Sequence, residues 1–203
     1  MERILATARE ITEKQGAFPS MSALARAVGI SRQALYLHFP DRTELLLAYV
    51  AYHDDREQLA AGLATVRDAP DAAGRIRAWA HMQTWHNLRI AAVARALDAT
   101  RHDDQAAAAG WDDRSADRMR DATAIVERLR AEGRLHPSWA DDEAAVLLRE
   151  LTSFRVWDDL VNDARIAPDR YVEIITAAAL STLGAPVTQP ASPANAEGVS
   201  PAS

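Results

Sequence analysis

Two short segments, Met21–Val28 and Arg32–His38, are joined by Gly29-Ile30-Ser31, and few folds accommodate that arrangement. Ser20 and Ser31 stand where a side-chain oxygen accepts from the free amides of a first helical turn. Gly29 supplies the left-handed backbone angles that a tight turn between steeply crossing helices needs. Met21, Leu24, Ala25 and Val28 share the inner face of the first segment. Small Ala25 lets the second segment approach, and Ile30 and Leu35 pin the pair to what precedes it. The spacing predicts a helix-turn-helix.

The flanks extend the same pattern. Ile4, Leu5, Ala8 and Ile11 make one apolar stripe at helical spacing, ended by Gly16. Pro40 breaks the chain, and Asp41-Arg42-Thr43-Glu44 reads as a capping box opening a long helix to about residue 66. Further helices are predicted at 71–87, 88–100, 110–132, 141–163 and 168–183, with Gly133, Pro137 and Pro168 at later boundaries. Strand signals are nearly absent. The expected fold is all-α, with about nine helices: a three-helix helix-turn-helix domain (1–48), then a helical ligand-binding and dimerisation domain (49–184). Residues 185–203 are Pro, Ala, Ser and Thr with almost no large apolar side chain, and are expected to be a disordered tail.

Composition narrows the chemistry. The chain has no Cys, which removes disulfides, thiolate zinc sites and cysteine nucleophiles. The opening Met1-Glu2-Arg3-Ile4 is no signal peptide, and no window approaches the ~18 apolar residues of a membrane helix. A soluble cytoplasmic protein without membrane contact is expected. The net charge of −6 is unevenly spread. Residues 1–50 carry six basic and five acidic side chains, a net of +1, so the remainder carries −7. That permits nucleic-acid binding by the first domain without establishing it.

On the second short helix Arg32, Gln33, Ala34, Tyr36 and Leu37 take outward positions. Arg and Gln offer paired hydrogen bonds to guanine and adenine edges in the major groove, and the Ala34 methyl suits a thymine methyl. Ser20, Ser31, Tyr36, His38 and Thr43 can donate to phosphates, and Arg42 adds charge on the same edge. Phe39 reads as a core aromatic beneath the first helix.

Ile4-Leu5-Ala6-Thr7-Ala8, the run Met21 to Ser31 and the run Ala34-Leu35-Tyr36-Leu37-His38-Phe39-Pro40-Asp41-Arg42-Thr43-Glu44-Leu45-Leu46 together resemble the N-terminal domain of the TetR family of regulators, without a gap over about residues 3–48. The resemblance implies an all-helical homodimer, usually a repressor, with a divergent ligand-binding domain after the DNA-binding one. By position, Arg32, Gln33 and Tyr36 match where members touch bases, Ser22 is a further match, and His38 and Arg42 match phosphate-facing positions. The sequence departs from the pattern twice. Almost nothing precedes the first helix, so no minor-groove arm is expected. Gln33 stands where many members have a small residue, so base preference does not transfer.

Later helices carry apolar residues on more than one face: Leu147, Leu151 and Phe154 in one, Ile174, Ile175 and Ala178 in another. One face turned to the protomer's own core and one to a partner gives a two-fold four-helix interface; burial within one subunit is the alternative. A dimer is also what reading a palindrome requires. Between these regions Trp79, Met82, Gln83, Trp85 and His86 lie on one predicted helix, Trp111, Ser115 and Met119 on another, and Trp157 on a third. They suit a cavity for an apolar or aromatic effector, with Gln83, His86, Asn87 and Ser115 as polar handles, although Trp and Met at this spacing also fill ordinary cores. No cofactor and no metal are expected.

Two other classes compete. His53-Asp54-Asp55, His102-Asp103-Asp104 and the double aspartates after Trp111, Ala140 and Trp157 contain metal-ligand types, as a hydrolase would need. Most fall at predicted helix starts, where capping explains them. A helical adaptor acting through protein partners would keep the same fold, and an activator would keep the same DNA contacts.

Overall fold

A computed structural model describes residues 1–53 and 56–184, and among these the chain is all-α. The helices are α1 (Glu2–Gln15), α2 (Met21–Val28), α3 (Arg32–His38), α4 (Arg42–His53), α5 (Arg56–Asp68), α6 (Ala72–Thr100), α7 (Gln105–Ala131), α8 (Asp141–Leu151), α9 (Phe154–Asp158) and α10 (Pro168–Leu183). A π-helical turn, Asp159–Asp163, follows α9. The β-pairing among the described residues is a single bridge, Leu135 to Gly184.

The N-terminal helices form by the local rules anticipated for them. Ser20 accepts from the Ala23 amide at 3.2 Å and Ser31 from the Ala34 amide at 3.0 Å. Asp41 caps α4, accepting from the Glu44 amide at 2.8 Å. Gly29 ends α2 at φ 78°, and its amide donates to the Ala25 carbonyl at 3.1 Å. Leu24, Leu35, Leu45 and Leu46 are fully buried where α1–α4 converge, each contributing about 2 kcal/mol of burial. Val93 and Leu97 of α6 and Ala107 of α7 complete this cluster, so the first four helices share a core with the helices behind them. The expected domain boundary at 48/49 falls inside α4. The continuity of a helix through residues 54 and 55, and the tail 185–203, lie outside the described residues.

The later helices divide differently from expectation. The predicted break between 87 and 88 does not exist: α6 runs unbroken from Ala72 to Thr100, about 43 Å, because no Gly or Pro interrupts it after Gly74. It packs against α4, α5, α7, α9 and α10. Helix α7 starts at Gln105 and not at 110, because Asp104 accepts from the amides of Ala106 and Ala107. Gly110 is therefore inside the helix, and it permits close approach: a Cβ there would lie 2.4 Å from Leu47 Cδ2. The single helix predicted over 141–163 is two helices and a π turn. Thr152 closes α8, and the Ser153 hydroxyl starts α9 by accepting from the Val156 amide at 3.3 Å.

Candidate nucleic-acid interface and central cavity

Helix α3 is anchored by one side and exposed on the other. Leu35 is 0% exposed and Phe39 closes the helix from below, its amide donating to the Leu35 carbonyl at 3.0 Å. Arg32, Gln33, Leu37 and His38 stand in solvent, with Ala34 and Tyr36 half-buried beside them. Arg32 Nη2 donates to Tyr36 Oη at 3.1 Å, and its guanidinium lies 5.4 Å from the Tyr36 ring centroid. This pairing holds both side chains on one face. Leu37, 84% exposed, is a large apolar group on the same short helix that packing within the chain does not explain.

The groups expected at phosphates border this face. Ser20, Ser22 and Ser31 are exposed, and Ser20 and Ser31 keep their hydroxyl protons free for an outside acceptor while the oxygens cap. Arg42 is half-buried, with Nη1 donating to the Pro19 carbonyl at 3.1 Å and its guanidinium over Phe18 at 5.7 Å. Thr43 departs from expectation: it is 4% exposed, and its hydroxyl donates to Asp104 at 2.6 Å. The residue ties α4 to the start of α7 and does not face outward. That hydrogen bond, with the amides of Ala107 and Ala106, holds the Asp104 carboxyl below its ordinary value of 3.8.

Behind this end of the molecule lies a cavity of about 1010 Å³, bordered by α4, α6 and α7 and by residues of α5, α8 and α9. Of the side chains expected to line a pocket, Met82, Gln83, His86, Trp111 and Ser115 do so, as does Asn87. Trp79, Trp85, Met119 and Trp157 are elsewhere. Trp79 is fully buried in the core and donates to Thr152 Oγ1 at 3.1 Å. Trp85 lies on the other side of α6 under Arg89, 4.9 Å from its ring centroid. Met119 and Trp157 fill neighbouring core clusters. One wall was unforeseen: Leu47 and Val50 of α4 line the cavity, so the helix that follows α3 forms part of its wall.

Arg118 was also unforeseen. It lines the cavity from α7, buried enough that desolvation pushes its pKa down to about 10. A signal existed: Trp111, Ser115, Arg118, Ala122 and Ile125 fall on one helical stripe, and an arginine on such a stripe faces inward.

The expected dimer residues split. Phe154 and Ile175 are buried in the chain's own core, Phe154 against Trp111 and Trp157, with centroids at 6.4 and 5.9 Å. Residues 174 and 175 point about 100° apart on a helix, so one packs inward while the other turns out. Leu147, Leu151, Ile174 and Ala178 are half-buried on α8–α10, and Val146 of α8 is exposed. Among the described residues no three His, Asp or Glu gather as metal ligands, and no helix is long and apolar enough to cross a membrane. Of the two His-Asp clusters, the one at 53–55 lies outside the described side chains, and Asp104 of the other is a helix cap.

Residues 4–49 match the profile of the family described as bacterial regulatory proteins, tetR family. No curated relative matches the sequence. Among solved structures the chain is similar to a bacterial regulatory protein in the tetR family from Rhodococcus RHA1, at 22% identity, covering 90% of this chain and 96% of that one, TM-score 0.61. It is similar to NalD of Pseudomonas aeruginosa, the secondary repressor of the MexAB-OprM multidrug efflux pump, at 20% identity over 90% and 94% of the two chains, TM-score 0.64. It is similar also to a transcriptional regulator of Saccharomonospora viridis in complex with choline, at 15% identity over 91% and 97%, TM-score 0.70.

Proposed function

We propose, from the premise that this chain carries the tetR-family DNA-binding domain at residues 4–49 and the fold of such regulators throughout, that it is a ligand-responsive repressor binding a palindromic operator as a homodimer. The observation that carries this reading is α3: a seven-residue helix, capped by Ser31 and pinned by Leu35, that leaves Arg32, Gln33 and Leu37 unburied and holds Arg32 against Tyr36. Residues 1–48 read the operator, Arg32, Gln33, Ala34, Tyr36 and Ser22 at bases and Ser20, Ser31, His38 and Arg42 at phosphates. Such a protein works in the cytoplasm, where the operator is.

Dimerisation through α8 and α10 is supported by Val146, exposed on α8, and by Ile174 and Ala178, half-buried on α10. Two α3 helices then address half-sites about one helical turn apart. Ligand response is supported by the cavity, by its contact with α4, and by the choline bound in one structural neighbour and the repressor description of another. Occupancy displaces Leu47 and Val50, α4 shifts, and the spacing of the two α3 helices changes. About 3 kcal/mol of such coupling alters operator affinity ~100-fold.

Enrichment of a random duplex pool on the purified protein tests this. A palindrome is expected to emerge, and Arg32→Ala and Gln33→Ala to relax preference at particular bases. No enrichment at low salt from folded protein would overturn DNA reading and favour an adaptor acting on protein partners.

A further inference from the structure

The cavity's polar lining distinguishes between classes of ligand. Asn87 of α6 is 2% exposed, and its Nδ2 has no hydrogen-bond partner. Arg118 of α7 has a buried Nε–H that is likewise unpartnered. Both residues line the same cavity, and both orphaned atoms are donors. A buried donor without an acceptor is costly, more so where the group is charged.

Among the described residues no carboxylate hydrogen-bonds the arginine, and Glu150 acts on it only at a distance. Arg118 Nη2 donates to the carbonyl of Thr152 and approaches that of Arg149 at 3.5 Å, but neither is a carboxylate. Other lining arginines have theirs: Arg155 and Arg101 share Asp98, and Arg149 takes Glu150 at 2.6 Å. Asp121, three residues beyond Arg118 on α7, makes no ion pair with it, and its own carboxyl is raised by burial and by Asp117. The other lining aspartates, Asp113 and Asp117, are exposed at the rim, and Asp117 is occupied by Arg120. The interior therefore holds a desolvated cation and an amide donor, while the anions are peripheral, half-buried or paired. Leu47, Met82, Ile90 and Phe154 supply the apolar remainder.

We propose that this cavity takes an amphipathic acid, an apolar body carrying one carboxylate that accepts from Arg118, with Asn87 donating to the same ligand. The proposal rests on the reading of the cavity as the effector site and specifies its ligand class. A carboxylate supplies what the site lacks: it neutralises the guanidinium and forms charge-assisted hydrogen bonds out of water, where they are strongest. A purely apolar molecule leaves both donors orphaned, and a cationic head is repelled by Arg118.

Calorimetric titration of the full chain with decanoate, decanamide and decyltrimethylammonium, all below micellar concentration, tests this. Decanoate is expected to bind at least tenfold more tightly than either analogue. Arg118→Gln is expected to abolish that preference and Arg118→Lys to restore part of it, with melting curves confirming that each variant is folded. Should Arg118→Gln fail to fold, Asn87→Leu is expected to weaken decanoate severalfold and decyltrimethylammonium not at all. Equal binding of the amide or the ammonium by the wild-type chain overturns the acid inference and leaves an effector cavity standing. Binding of none of the three overturns both. A decanoate preference that survives Arg118→Gln overturns the role of that arginine.

Discussion

On α3, Arg32 and Gln33 stand in water on a helix only seven residues long, whereas on α6 and α7 Asn87 and Arg118 lie between long helices, each with one buried donor unpartnered. The same kinds of side chain do opposite work in the two places. Exposed donors on α3 exchange water for a nucleic-acid surface and cost the free protein almost nothing. Buried donors without a partner beside the cavity cost the folded chain stability. On the proposed reading, an effector shifts the helices around the cavity only as far as it binds their two arrangements differently.

The contrast is sharpest within α3 itself. Leu35→Ala removes a fully buried side chain and is expected to cost about 2–5 kcal/mol of stability by denaturant unfolding, taking DNA binding with it. Leu37→Ala, two residues on, is expected to change stability by no more than about 0.5 kcal/mol while still weakening operator binding. Equal stability losses for the two would erase the distinction between the helix's faces.

Smaller effects follow from the frame that presents α3. Gly29→Ala meets no atom within 4 Å but must hold φ 78°, so about 1–2 kcal/mol of backbone strain is expected in the melting curve. Ser31→Ala removes the cap on α3 and is expected to cost about 1 kcal/mol, visible as a lower melting temperature. The smallest effect is a pH dependence at the seam between α4 and α7. Because Asp104 is held below 3.8 in the folded chain, its contribution is present in full above that value and is lost below it, as pH falls through the lower value of the folded state. Thr43→Val removes the largest cause and is expected to flatten the acid limb of stability below about pH 4. An unchanged acid limb would mean the seam is held by packing alone.

The helix-turn-helix was legible because its determinants are local: Ser20, Ser31 and Gly29 act within three or four residues of themselves, and the apolar stripe of α2 repeats at helical spacing. The cavity was only half legible because its determinants are not. Trp79 and Met82 lie three residues apart on α6 and share one core cluster, yet only Met82 also reaches the cavity, decided by α7 and α8, which approach from far along the chain. Breaks were misplaced for a related reason. No Gly or Pro stands at 87/88 to end a helix whose inner face is buried on both sides of that point, and Gly110 is no helix start when its missing Cβ is what lets Leu47 approach. Thr43 looked like a phosphate donor because Asp104, sixty-one residues away, is invisible from its neighbourhood.

The most direct test of DNA reading by α3 is the affinity of Arg32→Ala for its enriched palindrome and for unrelated duplex at one fixed salt concentration. The expected result is a loss on the palindrome of roughly ten- to a hundredfold, about 1–3 kcal/mol, with unrelated duplex bound as before. An equal loss on both duplexes would make Arg32 a mere phosphate contact, and no loss on either would contradict the assignment of α3 as the reading helix.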